Sequence, residues 1–298
     1  MVRLTLKQCS YLAAVADHGS IAEAARALNM SQPAVAQALD KLEESYGFQL
    51  FARHQARGSD LTTQGRAFCR SARDLLRQAE RTEQEAYAIA ADLAGTLRLG
   101  CFHTIAPFYA ARLIKAHGKR YPDVTIQASE LLQDEIVAGI RTAELDLALT
   151  YDMSLDDGEF ERRLLASPKA YILLSADHPF ASRSSIALAE MAQEPFVSFD
   201  GPSSRDYFEG LLSSHGVRPP VAFVSKSMES VRCAVANGMG FSLSNMRPRH
   251  HETYDGGKVA VVPIADEIDP LPIILVRRKN DAPSALIDNF VDTCEAQF

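Results

Sequence analysis

The chain has 298 residues, 47% of them apolar and 23% charged, with a formal net charge of −7. That composition belongs to a folded protein of about two domains and excludes disordered and collagen-like chains. No apolar run approaches the ~18 residues of a membrane span, and Lys7, Gln8, Asp17 and His18 interrupt the stretch where a signal peptide would be continuously apolar. A cytoplasmic protein without a membrane partner is therefore expected. The five cysteines (Cys9, Cys69, Cys101, Cys233, Cys294) include no CxxC pair, so they read as reduced, mostly buried thiols and not as a disulfide framework or a zinc ribbon. Charge is unevenly placed: residues 1–95 hold 11 basic and 11 acidic side chains, so the whole acidic excess lies beyond them. Any nucleic-acid function must then rest on a local basic cluster in a neutral N-terminal module.

Leu4 to His18 has helical spacing, with Leu6, Cys9, Leu12, Ala13 and Ala16 on one side and Gly19 as the stop. Ser20 to Glu23 reads as a capping box that opens a second helix running to about Leu28. Asn29-Met30 is a tight connector. Ser31 then serves as N-cap of a third helix with Pro33 in its first turn, where a missing amide costs nothing. Val35, Leu39 and Leu42 face inward, leaving Gln32, Pro33, Ala34, Ala36, Gln37 and Lys41 outward, a short polar face suited to a major groove. This is helix-turn-helix construction, and glutamine can pair bidentately with adenine. The segment from Gly47 to Leu61, with Arg53, His54 and Arg57, reads as a small β-wing whose basic tip meets phosphates or the minor groove. The competing reading is a plain helical bundle with a solvated polar face.

The run Ala24-Ala25-x-x-Leu28-x-x-Ser31-Gln32-Pro33-Ala34-Val35, followed by Leu42-Glu43, Gly47, Leu50-Phe51, Arg53 and Leu61-Thr62-x-x-Gly65, resembles the DNA-binding module of LysR-type transcriptional regulators. Ala36 departs from the pattern where that family often has a serine. The expected DNA-contacting residues are Ser31, Gln32, Pro33, Gln37, Lys41, Arg53 and Arg57.

From Thr62 to about Leu93 there is no proline, and Phe68, Ala72, Leu75, Ala79, Thr82, Ala86, Ile89 and Leu93 follow a heptad seam. Such a helix is expected to pair with a second copy of itself; the alternative is packing against its own chain. The resemblance makes it the dimerisation linker, with tetramers formed through effector domains.

The remaining two thirds alternate strand and helix. Strands are expected at 97–101, 124–130, 145–151, 170–175, 196–199, 222–225, 240–244 and 271–276. Helices are expected near 105–117, 134–141, 186–191, 205–214, 228–236 and 283–294. The order resembles the two-lobed, periplasmic-binding-protein-like (type 2) effector domain of the same family, with a cleft between the lobes. The expected fold is thus α+β multidomain: a winged helix-turn-helix at 1–61, a linker helix at 62–94 and an effector domain at 95–298. Lobe I spans about 95–160 and 266–298, and lobe II about 161–265.

Strand ends that run into helix starts offer free amides and hydroxyls. The expected effector contacts are Phe102, His103, Thr104, Ser129, Glu130, Tyr151, Ser203, Ser204, Arg205 and Ser227, of which Thr104, Ser129, Ser203 and Ser227 match positions the family uses. Each Ser or Thr has a helix cap as its plainer role. Arg205 beside two serines suits a carboxylate, and a small organic acid is expected, chiefly because the resemblance implies it. Glu130, Asp152 and Glu229, if they face inward, favour an amine or a polyhydroxylated ligand instead. His250-His251 lacks a third ligand in spacing, so no metal is expected. Ser203 occupies the segment where the peroxide-sensing branch carries a cysteine, which argues against redox sensing. A solute-binding protein or an enzyme is the other class, but no GxSxG, HExxH or P-loop string occurs, and Gly238-Met239-Gly240 lacks the third glycine of a dinucleotide loop. The expectation is a regulator without catalytic residues or cofactor. Its partners are a double-stranded DNA operator, further copies of itself, a small polar effector and, for an activator, RNA polymerase.

Overall fold

The computed structural model describes residues 4–52, 60–89, 93–153, 155–156, 158–279, 281 and 284–298. The head opens with α1 (Leu6–His18), whose N-terminus is closed by a reciprocal pair: the Gln8 amide donates to Thr5 Oγ1 at 3.2 Å and the Thr5 amide to Gln8 Oε1 at 3.0 Å. Its last turn ends at Gly19, whose φ of 64° is the left-handed conformation that glycine adopts without steric cost. Next come α2 (Ile21–Ala27), capped by the Ser20 hydroxyl accepting from the Glu23 amide at 3.1 Å, and α3 (Gln32–Tyr46). Cys9, Leu12, Val15, Ala24, Ala25, Val35, Leu39 and Leu42 close a small core beneath these three helices.

The fourth helix, α4 (Thr63–Ile89), has 27 residues and is about 40 Å long. The expected seam is divided. Phe68 and Ala72 are taken into the core of the chain's own head, beside Cys69 and Leu76, because the first turns of α4 lie against α1. Leu75 stays 40% exposed and Thr82 is exposed, whereas Leu93 packs on the first lobe. The side chains of Ala86 and Ile89 lie outside the described residues.

The effector domain begins with β1 (Gly95–Phe102), α5 (Ala106–Arg120), β2 (Val124–Leu131), α6 (Gln133–Thr142), β3 (Leu147–Tyr151) and β4 (Phe160–Ala166). It continues through β5 (Tyr171–Ser175), β6 (Phe196–Phe199), α7 (Pro202–Ser214), β7 (Val221–Ser225), α8 (Met228–Ala236), β8 (Ser242–Ser244) and β9 (Val259–Pro263), and returns through β10 (Ile273–Arg278) to α9 (Ala285–Glu295). The first lobe is one sheet of order β2-β1-β3-β10-β4, with β1 parallel to β2 and β3 and β10 antiparallel to β3 and β4. All five residues of β3 are buried, as a central strand covered on both faces requires. The second lobe joins an antiparallel set, β8-β5-β9, to a parallel pair, β6-β7, through a bridge between Phe196 and Phe241. Where the chain crosses between lobes, the Leu271 amide donates to the Pro168 carbonyl at 2.9 Å and ties the two crossovers together.

Three details differ from the sequence expectation, the first being β9, a strand not expected there, which pairs antiparallel with β5 along its length. The first lobe extends to Ala166 instead of 160, because β4 pairs with β10 along its length; with three charged residues among seven, β4 reads as a loop when sequence alone is considered. The helix expected at 186–191 is a single 3-10 turn, Leu188–Met191, since Ile186 is held in a bridge to Ile264.

Candidate functional site

The head presents an exposed polar face. Ser31, Gln32, Pro33, Gln37 and Lys41 are all exposed on α3, opposite the buried Val35, Leu39 and Leu42. One correction concerns Ser31, whose side chain makes no capping hydrogen bond. Pro33 at the second helical position has removed one of the two amides an N-cap normally serves, so the hydroxyl is left outward. The wing is anchored at its base: Phe51 bridges Leu61, the Ala52 amide donates to the Asp60 carbonyl at 2.7 Å, and Glu43 Oε1 accepts from the Leu50 amide at 2.6 Å. Arg53 and Arg57 lie outside the described residues. Arg66, which the sequence reading did not single out, is exposed near this base and donates to the Leu61 carbonyl at 2.7 Å.

The second site is a cavity of about 500 Å³ between the lobes. It sits at the carboxyl ends of the parallel strands, which aim their following turns at it. His103, Thr104, Glu130, Tyr151 and Ser204 line it, five of the ten expected residues. Phe102 is buried behind it, with its ring edge-on to Tyr151 at 5.4 Å. The other four need correction. Ser129 alternates with Glu130 along β2 and so faces the opposite side of the strand. Ser203 and Arg205 flank Ser204 on α7, about 100° away on either side. Arg205 is moreover tied to Asp200 at 2.7 Å and is not among the lining residues. Ser227 caps α8, its hydroxyl accepting from the Ser230 amide at 3.3 Å. Asp152, a ligand group only if it faced inward, pairs with Arg162 and is not among the lining residues.

The walls missed by sequence reasoning include six aromatic side chains, Phe108, Tyr171, Phe199, Tyr207, Phe208 and Tyr254, beside Met153, Met228 and Met246. The His103 ring from the first lobe stacks on Phe199 of the second, with centroids 5.4 Å apart, so the lobes already touch across the site. Burial pushes His103 below its ordinary value against the opposing pull of the Leu131 carbonyl, Glu130 and Glu135, so its imidazole is neutral. Burial raises Tyr151, Tyr171 and Tyr207, keeping all three as phenols. Lys226, Glu229, Arg232, Ser244 and Asn245 add to the polar lining.

All five cysteines are free thiols. Burial pushes both Cys101 and Cys294 up to about 12 and also raises Cys9 and Cys69, leaving almost no thiolate at neutral pH. Only Cys233 is partly exposed. Native chain treated with iodoacetamide near pH 8 is therefore expected to be alkylated at Cys233 first, with Cys101 and Cys294 reacting only on unfolding. Peptide mapping that finds Cys101 labelled as fast as Cys233 would contradict this assignment. Among the described residues no group of three His, Cys, Asp or Glu is placed to hold a metal, and no helix is long and apolar enough to cross a membrane.

Residues 6–66 match the family model described as a bacterial regulatory helix-turn-helix protein of the lysR family, and residues 90–298 match the LysR substrate binding domain. The chain is 29% identical over 294 residues to YnfL, an uncharacterised HTH-type transcriptional regulator of Escherichia coli, covering 97% of both chains. Among solved structures it is similar to HinK, a LysR family regulator of Pseudomonas aeruginosa, at 36% identity and a TM-score of 0.66 over 98% of both chains. Its fold is also similar to that of a full-length OxyR variant of Pseudomonas aeruginosa, at 23% identity and a TM-score of 0.80 over 99% of this chain and 95% of that one.

Proposed function

The chain belongs to the LysR family of helix-turn-helix transcriptional regulators, DNA-binding proteins with an effector domain and not enzymes, and we propose that a small molecule entering its interlobe cavity resets how paired heads sit on a two-fold operator. The observation that carries this reading is the double engagement of Arg73. From α4 it pairs at once with Asp17 of the head and Glu144 of the first lobe, so a shift in the effector domain is felt at α1. A ligand acts through such a contact only by binding one arrangement better than the other. The exposed Leu75 on α4 supports pairing of two copies through the linker, and two heads so joined would match two half-sites. No cofactor enters this scheme, and contact with RNA polymerase enters it only if the protein activates.

Gln32 and Gln37 are assigned to base edges, and Arg53 and Arg57 to the backbone. The test is a gel shift and footprint on DNA upstream of the protein's own gene, across salt and with small acids, amides and amines. Protection of a partly palindromic site, altered by one compound, is expected. Gln37→Ala should relax preference at one base pair. Arg57→Ala should weaken all sequences alike and lower the salt slope by about one. Salt-sensitive binding with no footprint on any fragment would overturn the operator reading.

A further inference from the structure

Resting on the reading of the cavity as the effector site, we infer that its ligand is an uncharged, flat aromatic molecule carrying both a hydrogen-bond donor and an acceptor. The walls set the shape. His103 and Phe199 already stack as two nearly parallel plates, 26° from coplanar, and Phe108, Tyr151, Tyr171 and Tyr207 extend the aromatic lining around a space that suits one or two rings.

Charge then removes the alternatives. Among the described residues, the one guanidinium that lines the cavity, on Arg232, is already neutralised: Nη1 donates to Glu229 at 2.9 Å, with the two side chains only 11% and 18% exposed. Nη2 donates to the carbonyls of His250 at 3.1 Å and Glu252 at 2.9 Å. Arg205, the cation that suggested a carboxylate, is held by Asp200 and does not line the space. Glu130 and Lys226 also line it, one from each lobe, but both are exposed and opposite in sign. Among the described residues, the buried part of the lining thus holds no unpaired cation or anion: a ligand carboxylate or ammonium would have only the solvent-exposed Lys226 or Glu130 to meet, and such exposed charges compensate a buried ion weakly.

The unfilled hydrogen bonds give the polar edge. The His103 ring, with only the Leu131 carbonyl near it, the side-chain carbonyl oxygen of Asn245, the Tyr207 hydroxyl beside that carboxamide and Nε of Arg232 are shut from solvent with no well-directed hydrogen bond among the described residues, and all four side chains line the same cavity. A neutral imidazole offers one donor and one acceptor, the guanidinium nitrogen a donor and the carboxamide oxygen an acceptor. A flat amide or lactam on an aromatic ring complements that set without bringing charge.

Three probes with one ring and different charge separate the possibilities: benzamide, benzoate and benzylamine, titrated calorimetrically into the full chain at neutral pH, with nicotinamide as a second flat amide. Benzamide or nicotinamide should bind at least about tenfold more tightly than the two ions. His103→Phe, which keeps the stacked ring and removes both nitrogens, and Asn245→Leu should each weaken amide binding several-fold while the thermal midpoint shows the chain still folded. Arg205→Ala should leave it unchanged. Benzoate or benzylamine binding as tightly as the amides, or no saturable amide binding at low-millimolar concentration, overturns the inference. Protection of upstream DNA by the ligand-free chain is measured in parallel: its loss overturns the operator reading alone, whereas retained protection with the wrong order of affinities overturns the ligand class alone.

Discussion

Replacing Gly65 with alanine is expected to abolish operator protection while leaving the cleft able to bind its ligand. Gly65 lies in the first turn of α4, pressed against the wing base. A Cβ there would overlap the carbonyl oxygen of Leu50 and stand 2.8 Å from its carbonyl carbon, backbone atoms that no rotamer change can move aside. Leu50 is also held at both its backbone polar groups. The Leu50 carbonyl accepts from the Thr62 amide at 2.9 Å, and the Leu50 amide donates to Glu43 at 2.6 Å. Thr62 Oγ1 donates to the Gln49 carbonyl at 2.7 Å and accepts from the Gly65 amide at 2.8 Å. Relief thus requires separating α4 from the wing and from α3, at a cost of about 3 kcal/mol or more. Gly118 makes the control: it is helical, with nothing within 4 Å of the place a Cβ would take, and Gly118→Ala should stabilise by about 0.5–1 kcal/mol. Calorimetric melting with a footprint checks both; a Gly65→Ala chain that protects its site and melts like the parent would contradict the packing argument.

The head was readable from the sequence because its signals are local. A serine three residues before a glutamate, a proline in a first turn and a glycine after a last one act within a few residues of themselves, and each marks an element boundary found in the structure. The strands flanking the cleft were readable as apolar runs for the same reason. The cleft itself was only half legible. Thr104 and Ser204 stand at strand-to-helix turns, which sequence can locate, whereas Tyr171, Phe199 and Tyr207 sit on β5, β6 and α7 of the second lobe, whose shared cavity-facing side exists only in the fold; in sequence such aromatic residues look like core. Arg205 misled because its partner, Asp200, is local but lies in the turn before α7, beyond the helix-surface spacing that flags an ion pair. The linker seam misled in part because a heptad pattern does not distinguish a second copy from the chain's own α1.

Replacing Asp281 with asparagine is expected to loosen the linker from the effector domain and lower the stability of the whole chain by about 3–5 kcal/mol, the usual effect of stripping one partner from a buried ion pair. Asp281 is the acidic centre of an arginine cluster. Oδ1 accepts from Arg278 at 2.9 Å, and Oδ2 lies 3.4 Å from both Arg77 and Arg81 of α4. The side chains of Asp281 and Arg77 are each only 6% exposed, so solvent cannot take over when the charge is removed. Asp74 is the second anion, accepting from Arg77 at 2.9 Å and Arg278 at 2.8 Å, but it is 41% exposed, and Asp74→Asn should cost well under half as much. Burial alone would raise the Asp74 carboxyl, yet the hydrogen bonds from Arg278 and Arg77 outweigh it and hold the group below its ordinary value of 3.8. With the folded value depressed, its contribution is present above that pH and is lost as pH falls through the folded value, so the linker contact should persist at neutrality and fail only in acid. If loss of charge balance is the cause, Arg77→Met combined with Asp281→Leu should recover much of the stability lost by Asp281→Asn, because an apolar pair of similar volume needs no desolvated ion. Thermal unfolding of the three variants decides it: equal losses in Asp281→Asn and the double variant would mean that shape, and not charge, holds α4 against the effector domain.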